Sequence, residues 1–170
     1  ISLANSAAIM AWPEAHGDWN RAGYMLYGSS PLDKDHPSSK GLKPVMQLWS
    51  AVISLRQVDA GDSVGYGQHW RASRPSIIAT IATGYGDGYP RSAASGTPVL
   101  VNGQRASIVG RVSMDMMTID VTDLSATQIG DPVCLWGPGL NINEVAHHAG
   151  TIGYELMTRM TQRLPIRHVD

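Results

Sequence analysis

The sequence predicts a mainly β fold, a compact barrel or sandwich with two short helices near its carboxyl end. β-branched residues are concentrated in a regular series of short segments, which glycine, proline and aspartate separate. Within this series, Asn102-Gly103 stands between two such segments. Asn-Gly is a strong hairpin signal because a type I′ turn requires positive φ at both central residues. A chain of 170 residues is long enough to bury a core of this kind.

The strands are predicted from the density of β-branched and aromatic residues between turn-forming residues. All but the last of them precede the two helices, so the sheet is expected to form mainly in the middle of the chain. The predicted strands are 45–58, 63–72, 76–85, 98–101, 106–109, 117–122, 132–136 and 166–169.

The two helices are predicted from capping residues and from apolar periodicity. The first is capped by Asn141 or Asn143 and runs through His148. The second is capped by Thr151 and stops at Pro165. Its apolar residues recur at a spacing of four, at Ile152, Leu156, Met160 and Leu164.

The amino end follows neither pattern. Residues 1–28 mix small residues with aromatics and glycines, which is typical of the loop-rich mouth of an α/β unit, and we expect a short strand at 24–27. Residues 29–44 are rich in serine, proline, glycine and lysine and predict an exposed linker or long loop.

Composition excludes several classes of function. The chain has 13 basic and 14 acidic residues, so it lacks the positive charge that non-specific nucleic-acid binding requires. No apolar run is long enough for a membrane span. Cys134 is the only cysteine and lies in an apolar segment, and the six histidines lack ligand spacing, so we expect neither a disulfide nor a metal site.

Two glycine-rich segments present side chains that could carry chemistry. Residues 84–91, GYGDGYPR, predict a sharp turn that displays two tyrosines, an aspartate and an arginine after a strand. Tyr66 lies between Gly65 and Gly67 and has little steric cover. The structural alternatives are an ordinary glycine-rich hairpin and a half-buried strand tyrosine. A phenol is also a poor base unless its surroundings lower its pKa.

A third group of residues suits an anion. Gly23 follows Arg21 closely and allows close approach of backbone N–H groups, and Ser6 offers a hydroxyl. Exposed N–H groups with a serine are a usual way to hold a phosphate. Neither the dinucleotide fingerprint nor the Walker loop is present.

Taken together, these segments resemble the C-terminal half of bacterial alanine racemases, which are fold-type III enzymes that use pyridoxal 5′-phosphate (PLP). The order of eight motifs carries the resemblance along the whole chain. They are SLANSA (2–7), RAGYMLYGSSP (21–31), LKPVM (42–46), VGYG (64–67), GYGDGYPR (84–91), VGRVSMDM (109–116), GDPVCLWG (130–137) and YEL (154–156).

The resemblance implies that residues 1–42 are the terminal portion of a PLP-binding α/β barrel of the TIM type. It implies that residues 43–170 form the C-terminal β-domain of the racemase. The family forms a head-to-tail homodimer in which the two subunits share each active site.

The resemblance also implies cofactor-binding roles. Arg21 would face the pyridine nitrogen of PLP, where a permanently charged guanidinium donates a hydrogen bond and keeps its proton. Ser6 and the backbone N–H groups of Gly23 and Tyr24 would hold the phosphate, and the Tyr154 hydroxyl would also reach it.

For the reaction itself, the resemblance implies that Tyr66 is the catalytic tyrosine. It would remove or return the α-proton on one face of the substrate in the other subunit's active site. The backbone N–H of Met114 would bind the substrate carboxylate, and Tyr85 would be the inner gate of the substrate channel. The same channel or its mouth would be lined by Arg91, Arg111 and Asp115.

The lysine that holds PLP covalently in the family has no counterpart here. Lys34, Lys40 and Lys43, the only lysines, all lie in one proline- and serine-rich segment. We therefore expect the chain to be a fragment that does not racemise alanine alone. The resemblance implies a cytoplasmic parent enzyme that interconverts L- and D-alanine for peptidoglycan synthesis. A fragment of a broad-specificity amino-acid racemase and a free-standing, non-catalytic β-domain that binds a partner remain as alternatives.

Overall fold

The computed structural model describes residues 1–124 and 126–169. They form two compact units, one of residues 1–47 and one that begins at Leu48. No helix in the described residues is long and apolar enough to cross a membrane.

The second unit is built on six antiparallel strands that close into a barrel in the order β1-β4-β7-β6-β5-β8. Strands β2 and β3 form a separate two-stranded sheet. The mainly β fold is thus confirmed, and it is a barrel rather than a sandwich. The strands are β1 (Leu48–Val58), β2 (Ser63–Val64), β3 (Trp70–Arg71), β4 (Ser76–Ile81), β5 (Pro98–Val101), β6 (Gln104–Ile108), β7 (Met117–Asp120) and β8 (Pro132–Trp136).

Strand β1 closes the barrel because its two halves pair with different neighbours. Residues 48–51 pair with β8, and residues 52–58 pair with β4. The register shifts between Val52 and Ser54, and such an irregularity lets one strand bend from one neighbour to the other.

The barrel interior is apolar, and each fully buried aliphatic side chain in it contributes roughly 1.5–3 kcal/mol. Strand β5 is buried at all four of its positions. The fully buried side chains of the barrel interior include Ile81, Ile108, Ile119 and Leu135, whereas Ile78 is buried in a separate cluster with Val58, Val64, Ala72 and Val109.

The hairpin predicted at Asn102-Gly103 is confirmed. Asn102 has φ 49° and Gly103 has φ 79°, as a type I′ turn requires. Val101 and Gln104 are the last paired residues of β5 and β6, so the loop has two residues.

Four predicted strands are shorter than expected: 45–58 begins only at Leu48, 117–122 ends at Asp120, and the other two differ more. The segment 63–72 is interrupted by a 3₁₀ helix at Tyr66–Gln68, since Gly65, Gly67 and Gln68 all have positive φ. The segment 76–85 leaves the sheet after Ile81, and residues 85–87 form another 3₁₀ turn.

Two short helices follow the barrel, as predicted: α2 (Ile142–His148) and α3 (Gly153–Thr158). The Asn141 side chain accepts a hydrogen bond from the Asn143 N–H and caps α2. For α3, the predicted cap and end are both wrong. Thr151 donates its hydroxyl to Glu155 instead of capping, and the helix stops at Thr158.

After α3, the chain runs beside residues 84–88. The Thr161 N–H donates to the Asp87 carbonyl at 3.1 Å, so a long-range contact replaces the helical hydrogen bonds that periodicity predicted. The strand predicted at 166–169 is also wrong, because these residues lie outside any strand.

The first unit contains α1 (Ser6–Ala11), which Asn5 caps by accepting from the Ala8 N–H at 3.0 Å. Asn5 and Arg21 form an isolated parallel bridge. The strand predicted at 24–27 is wrong: Tyr24–Tyr27 is a 3₁₀ helix that ends at Gly28, whose φ is 80°. A Cβ on Gly28 would lie 1.7 Å from the Lys43 carbonyl oxygen, so this close approach requires glycine.

Candidate functional site

Three segments of the second unit meet and form what we call the loop cluster: residues 64–68, 84–88 and 110–116. The 110–116 segment lies between the other two. Glycine backbone makes the contacts on both sides, so the segments approach more closely than side chains would allow.

The first contact brings the tyrosine loop to the 110–116 segment. A Cβ on Gly65 would lie 3.2 Å from the Arg111 backbone nitrogen, and one on Gly110 would lie 2.7 Å from the Val64 oxygen. Both glycines have positive φ, which other residues rarely adopt. Tyr66 follows directly and is 71% exposed, so its phenol stands on the surface of this unit.

The second contact is a pair of backbone hydrogen bonds. The Tyr85 N–H donates to the Ser113 carbonyl at 2.9 Å, and the Gly86 N–H donates to the Met114 carbonyl at 2.8 Å. A Cβ on Gly84 would lie 2.3 Å from the Met114 oxygen. The main chains beside Tyr85, which is 36% exposed, and Met114, which is exposed, are therefore held together.

The glycine-rich turn does not display all of its polar side chains. Asp87 is buried and accepts a hydrogen bond from the Gly84 N–H at 2.9 Å, which fixes the turn from inside. Tyr89 is fully buried and stacks on Trp136, with ring centroids 6.0 Å apart. Of the two tyrosines predicted to be displayed, only Tyr85 is at the surface, while Arg91 is exposed.

An arginine that sequence reasoning missed joins two segments of the loop cluster. The Arg163 guanidinium lies 2.5 Å from a carboxylate oxygen of Asp115 and 3.5 Å from one of Asp87. Its hydrogen bond to Asp115 and the charge of Asp87 raise the pKa of Arg163, so the guanidinium stays charged. The partner of Asp115 among the described residues is thus Arg163. No local pattern distinguishes Arg163 from other exposed arginines.

Tyr154 lies on α3, which leads into the segment that contacts the 84–88 turn. Partial burial of its ring raises the pKa of the Tyr154 phenol. The helix is held by Glu155, which pairs with Arg159 at 3.1 Å and accepts from Thr151.

The predicted phosphate residues meet within the first unit. The Ser6 oxygen is buried and accepts from the Gly23 N–H at 3.1 Å and from the Met25 N–H at 3.2 Å. Tyr24, at the start of its 3₁₀ helix, is also buried. A Cβ on Gly23 would meet nothing within 4 Å, so space exists beside these donors. The arrangement fits an anion, which would share the Gly23 N–H with Ser6.

Arg21 has an exposed side chain in the same unit. Its backbone N–H donates to the Ala4 carbonyl at 2.8 Å, and its guanidinium donates to the Leu3 carbonyl at 3.0 Å. These contacts tether the arginine to the residues that precede Ser6.

The remaining candidates for chemistry give no second site. No three His, Cys, Asp or Glu residues among 1–124 and 126–169 are grouped closely enough to hold a metal ion. Cys134 is buried in β8, as the sequence predicts, and burial raises the pKa of its thiol to about 11. It is therefore protonated at neutral pH and unsuited to nucleophilic attack.

Comparisons with known proteins show which family the chain resembles. Residues 45–168 match the family model of the alanine racemase C-terminal domain, and residues 1–31 match that of the alanine racemase N-terminal domain. The chain is 58% identical over 168 residues to an alanine racemase of Chromohalobacter salexigens, covering 99% of this chain and 46% of that protein. It is 56% identical over 167 residues to the biosynthetic alanine racemase of Pseudomonas aeruginosa, covering 98% and 47%.

Solved structures give the same result. The chain superimposes on the crystal structure of biosynthetic alanine racemase from Pseudomonas aeruginosa with a TM-score of 0.95 at 55% identity, over 99% of this chain and 47% of that one. The alanine racemase from Bartonella henselae, crystallised with covalently bound pyridoxal phosphate, gives 0.84 at 37% identity, over 95% and 45%. The chain thus spans about half the length of the relatives it matches.

Proposed function

The chain belongs to the alanine racemase family, and from that membership we propose that it supplies the C-terminal part of an alanine racemase. The proposed reaction interconverts L- and D-alanine with PLP as cofactor. One observation carries the proposal at the level of residues: the glycine contacts of the loop cluster present Tyr66 and Met114 on neighbouring segments of one surface.

Racemisation requires proton transfer on both faces of one carbon. We assign one face to the phenol oxygen of Tyr66, which as the phenolate accepts the α-proton in one direction and as the neutral phenol returns a proton in the other. Bound PLP would supply the electron-withdrawing group that makes this proton removable. The lysine that binds PLP covalently in the family has no counterpart in the motifs that this chain matches. The chain's own lysines, Lys34, Lys40 and Lys43, are all exposed.

The other assignments concern binding. Ser6, Gly23 and Tyr24 would hold the cofactor phosphate, together with the Tyr154 hydroxyl, and Arg21 would donate to the pyridine nitrogen. The contact between two of these residues supports this role, since the Ser6 oxygen accepts from the N–H groups of Gly23 and Met25, which holds the Ser6 hydroxyl beside the Gly23 backbone.

On the substrate side, the Met114 N–H would bind the carboxylate of alanine, and Tyr85 would gate the channel. The residues assigned to that channel or its mouth are Arg91, Arg111 and Asp115. We further propose that the enzyme is a homodimer in which Tyr66 serves the partner's site. The high exposure of Tyr66 supports this, since a phenol that acts on a bound substrate must be covered by other groups. The domain division at 42/43, a cytoplasmic location and a role in peptidoglycan synthesis also remain proposals, based on the resemblance.

A chimera tests the assignment of Tyr66. Residues 1–170 would replace the matching segment of the Pseudomonas aeruginosa relative, and turnover of L- and D-alanine would be measured with added PLP. We expect an active chimera in which Tyr66→Phe lowers kcat in both directions by at least about 10²-fold, because general acid–base catalysis contributes that much.

Tyr27→Phe is the matched control, since Tyr27 is an exposed tyrosine outside the loop cluster. Near-normal turnover by Tyr66→Phe would remove that residue from the reaction. Equal turnover of serine or lysine would instead indicate a broad-specificity racemase. An inactive chimera that folds and binds PLP would favour a non-catalytic domain. The 170-residue chain alone should not racemise alanine. Activity of that chain with added PLP would contradict our expectation that none of its lysines replaces the PLP lysine.

A further inference from the structure

The segment after α3 follows the turn that carries Tyr85, and this contact is independent of the glycine contacts described above. The Thr161 hydroxyl donates to the Gly86 carbonyl at 3.0 Å, in addition to the Thr161 N–H bond to Asp87. A Cβ on Gly88 would lie 2.3 Å from the Arg159 oxygen, so the two backbones touch.

Farther along this segment, Arg163 reaches across to residues 113–116. The carboxylate of buried Asp87 forms an ion pair with one side of the guanidinium, and the carboxylate of half-exposed Asp115 forms an ion pair with the other side. A Cβ on Gly86 would lie 2.2 Å from a terminal nitrogen of Arg163, so the guanidinium lies directly over this glycine. One cation thereby joins the Tyr85 turn to the segment that carries Met114.

We propose that Arg163 is a positioning residue for the substrate, and this inference rests on the proposed function. By holding the 84–88 turn against residues 113–116, Arg163 fixes the distance between the Tyr85 gate and the Met114 N–H that would bind the substrate carboxylate. Tyr66 is held by a different contact, between Gly65 and Gly110. Loss of Arg163 should therefore weaken substrate binding more than proton transfer.

Two measurements test the proposal. The first is hydrogen–deuterium exchange of the Tyr85 and Gly86 amides in the 170-residue chain, because these amides donate to Ser113 and Met114. We expect Arg163→Gln to accelerate their exchange about fivefold, the scale of a partly exposed ion pair. The second is steady-state kinetics of the chimera, where we expect KM for alanine to rise about fivefold while kcat changes less than twofold.

Variants separate positioning from general stability. Arg74→Gln is the matched control, because Arg74 also forms an exposed ion pair at 2.5 Å, with Asp123, away from the loop cluster. It should change neither measurement. Arg163→Lys keeps the positive charge but lacks the planar fork of the guanidinium. It should therefore raise KM less than Arg163→Gln does. Asp115→Asn should add little to Arg163→Gln, since both changes remove the same contact.

The outcomes are distinguishable. If amide exchange of Tyr85 and Gly86 were unchanged in Arg163→Gln, Arg163 would not hold the 84–88 turn against residues 113–116, and the proposal would fail whatever the activity. If Arg163→Gln exchanged its Tyr85 and Gly86 amides faster but left KM for alanine unchanged, Arg163 would have a purely structural role. A smaller active fraction at constant KM would mean the same. Either result would overturn the positioning role. An inactive parent chimera would contradict the proposed function, and with it the positioning role, even if the amides still responded to Arg163→Gln.

Discussion

The barrel and the loop cluster lie in the same unit but are held together by opposite means. In the barrel, bulky side chains such as Ile108, Ile119 and Leu135 are fully buried and exclude water from the strands. In the loop cluster, the contacts are made by glycine backbone and carbonyl oxygens, and the large side chains of Tyr66 and Met114 are exposed.

This difference bears on which side chains are available to meet a ligand. Side chains that pack a core are no longer available to meet a ligand, whereas segments packed through their backbone keep their side chains free. The barrel should therefore be sensitive to loss of side-chain volume, and the loop cluster should be sensitive to its gain. Three stability measurements examine this contrast, each by urea unfolding of the chain followed by circular dichroism.

The largest effect is expected for a truncation in the barrel. Ile119→Ala removes a side chain that is 0% exposed and should lower the free energy of unfolding by about 2–5 kcal/mol, through lost burial and a residual cavity. Ile53→Ala is the matched control, because Ile53 is 47% exposed on β1 and should cost less than about 1 kcal/mol. Equal losses would mean that the barrel interior does not supply the stability.

A smaller effect is expected when volume is added to the loop cluster. Gly110→Ala and Gly103→Ala start from nearly the same φ, 77° and 79°, so both carry the strain of a left-handed backbone. Only at Gly110 would the new Cβ meet an atom, the Val64 oxygen at 2.7 Å, whereas at Gly103 it would meet nothing within 4 Å. We expect Gly110→Ala to cost about 1–3 kcal/mol more than Gly103→Ala. Equal costs would refute the close approach of the two backbones.

The smallest effect has the opposite sign. The Tyr89 hydroxyl is buried and has no hydrogen-bond partner among the described residues. Burial of this unpaired group costs free energy, so Tyr89→Phe should raise the free energy of unfolding by about 1 kcal/mol. Tyr27→Phe, at an exposed ring, should change it by less than about 0.5 kcal/mol. A clear loss of stability in Tyr89→Phe would show that the hydroxyl is bonded.

The same contrast explains which features the sequence predicts. The Asn102-Gly103 hairpin and the Asn141 cap depend on neighbours within a few residues, and both are confirmed. The end of α3 depends on a contact between Thr161 and Asp87, so periodicity alone extended the helix too far.

For the candidate site, the family resemblance supplied most of the proposed residue roles, and local pattern pointed only to the anion group of Ser6 and Gly23. Tyr85 and Tyr89 stand four residues apart in one glycine-rich turn, yet one is at the surface and the other is buried. Arg163 and Asp115 are 48 residues apart, and only the folded chain reveals that they pair.

The pairing of β1 with β8 also constrains the order of folding. Ser50 pairs with Val133, and the strands β2 to β7 lie between them in the sequence, so the ring of strands closes across a long loop. Such non-local pairing slows folding. During synthesis, the β1 edge facing β8 would remain unpaired until residue 136 has left the ribosome, and an unpaired edge can pair with other chains.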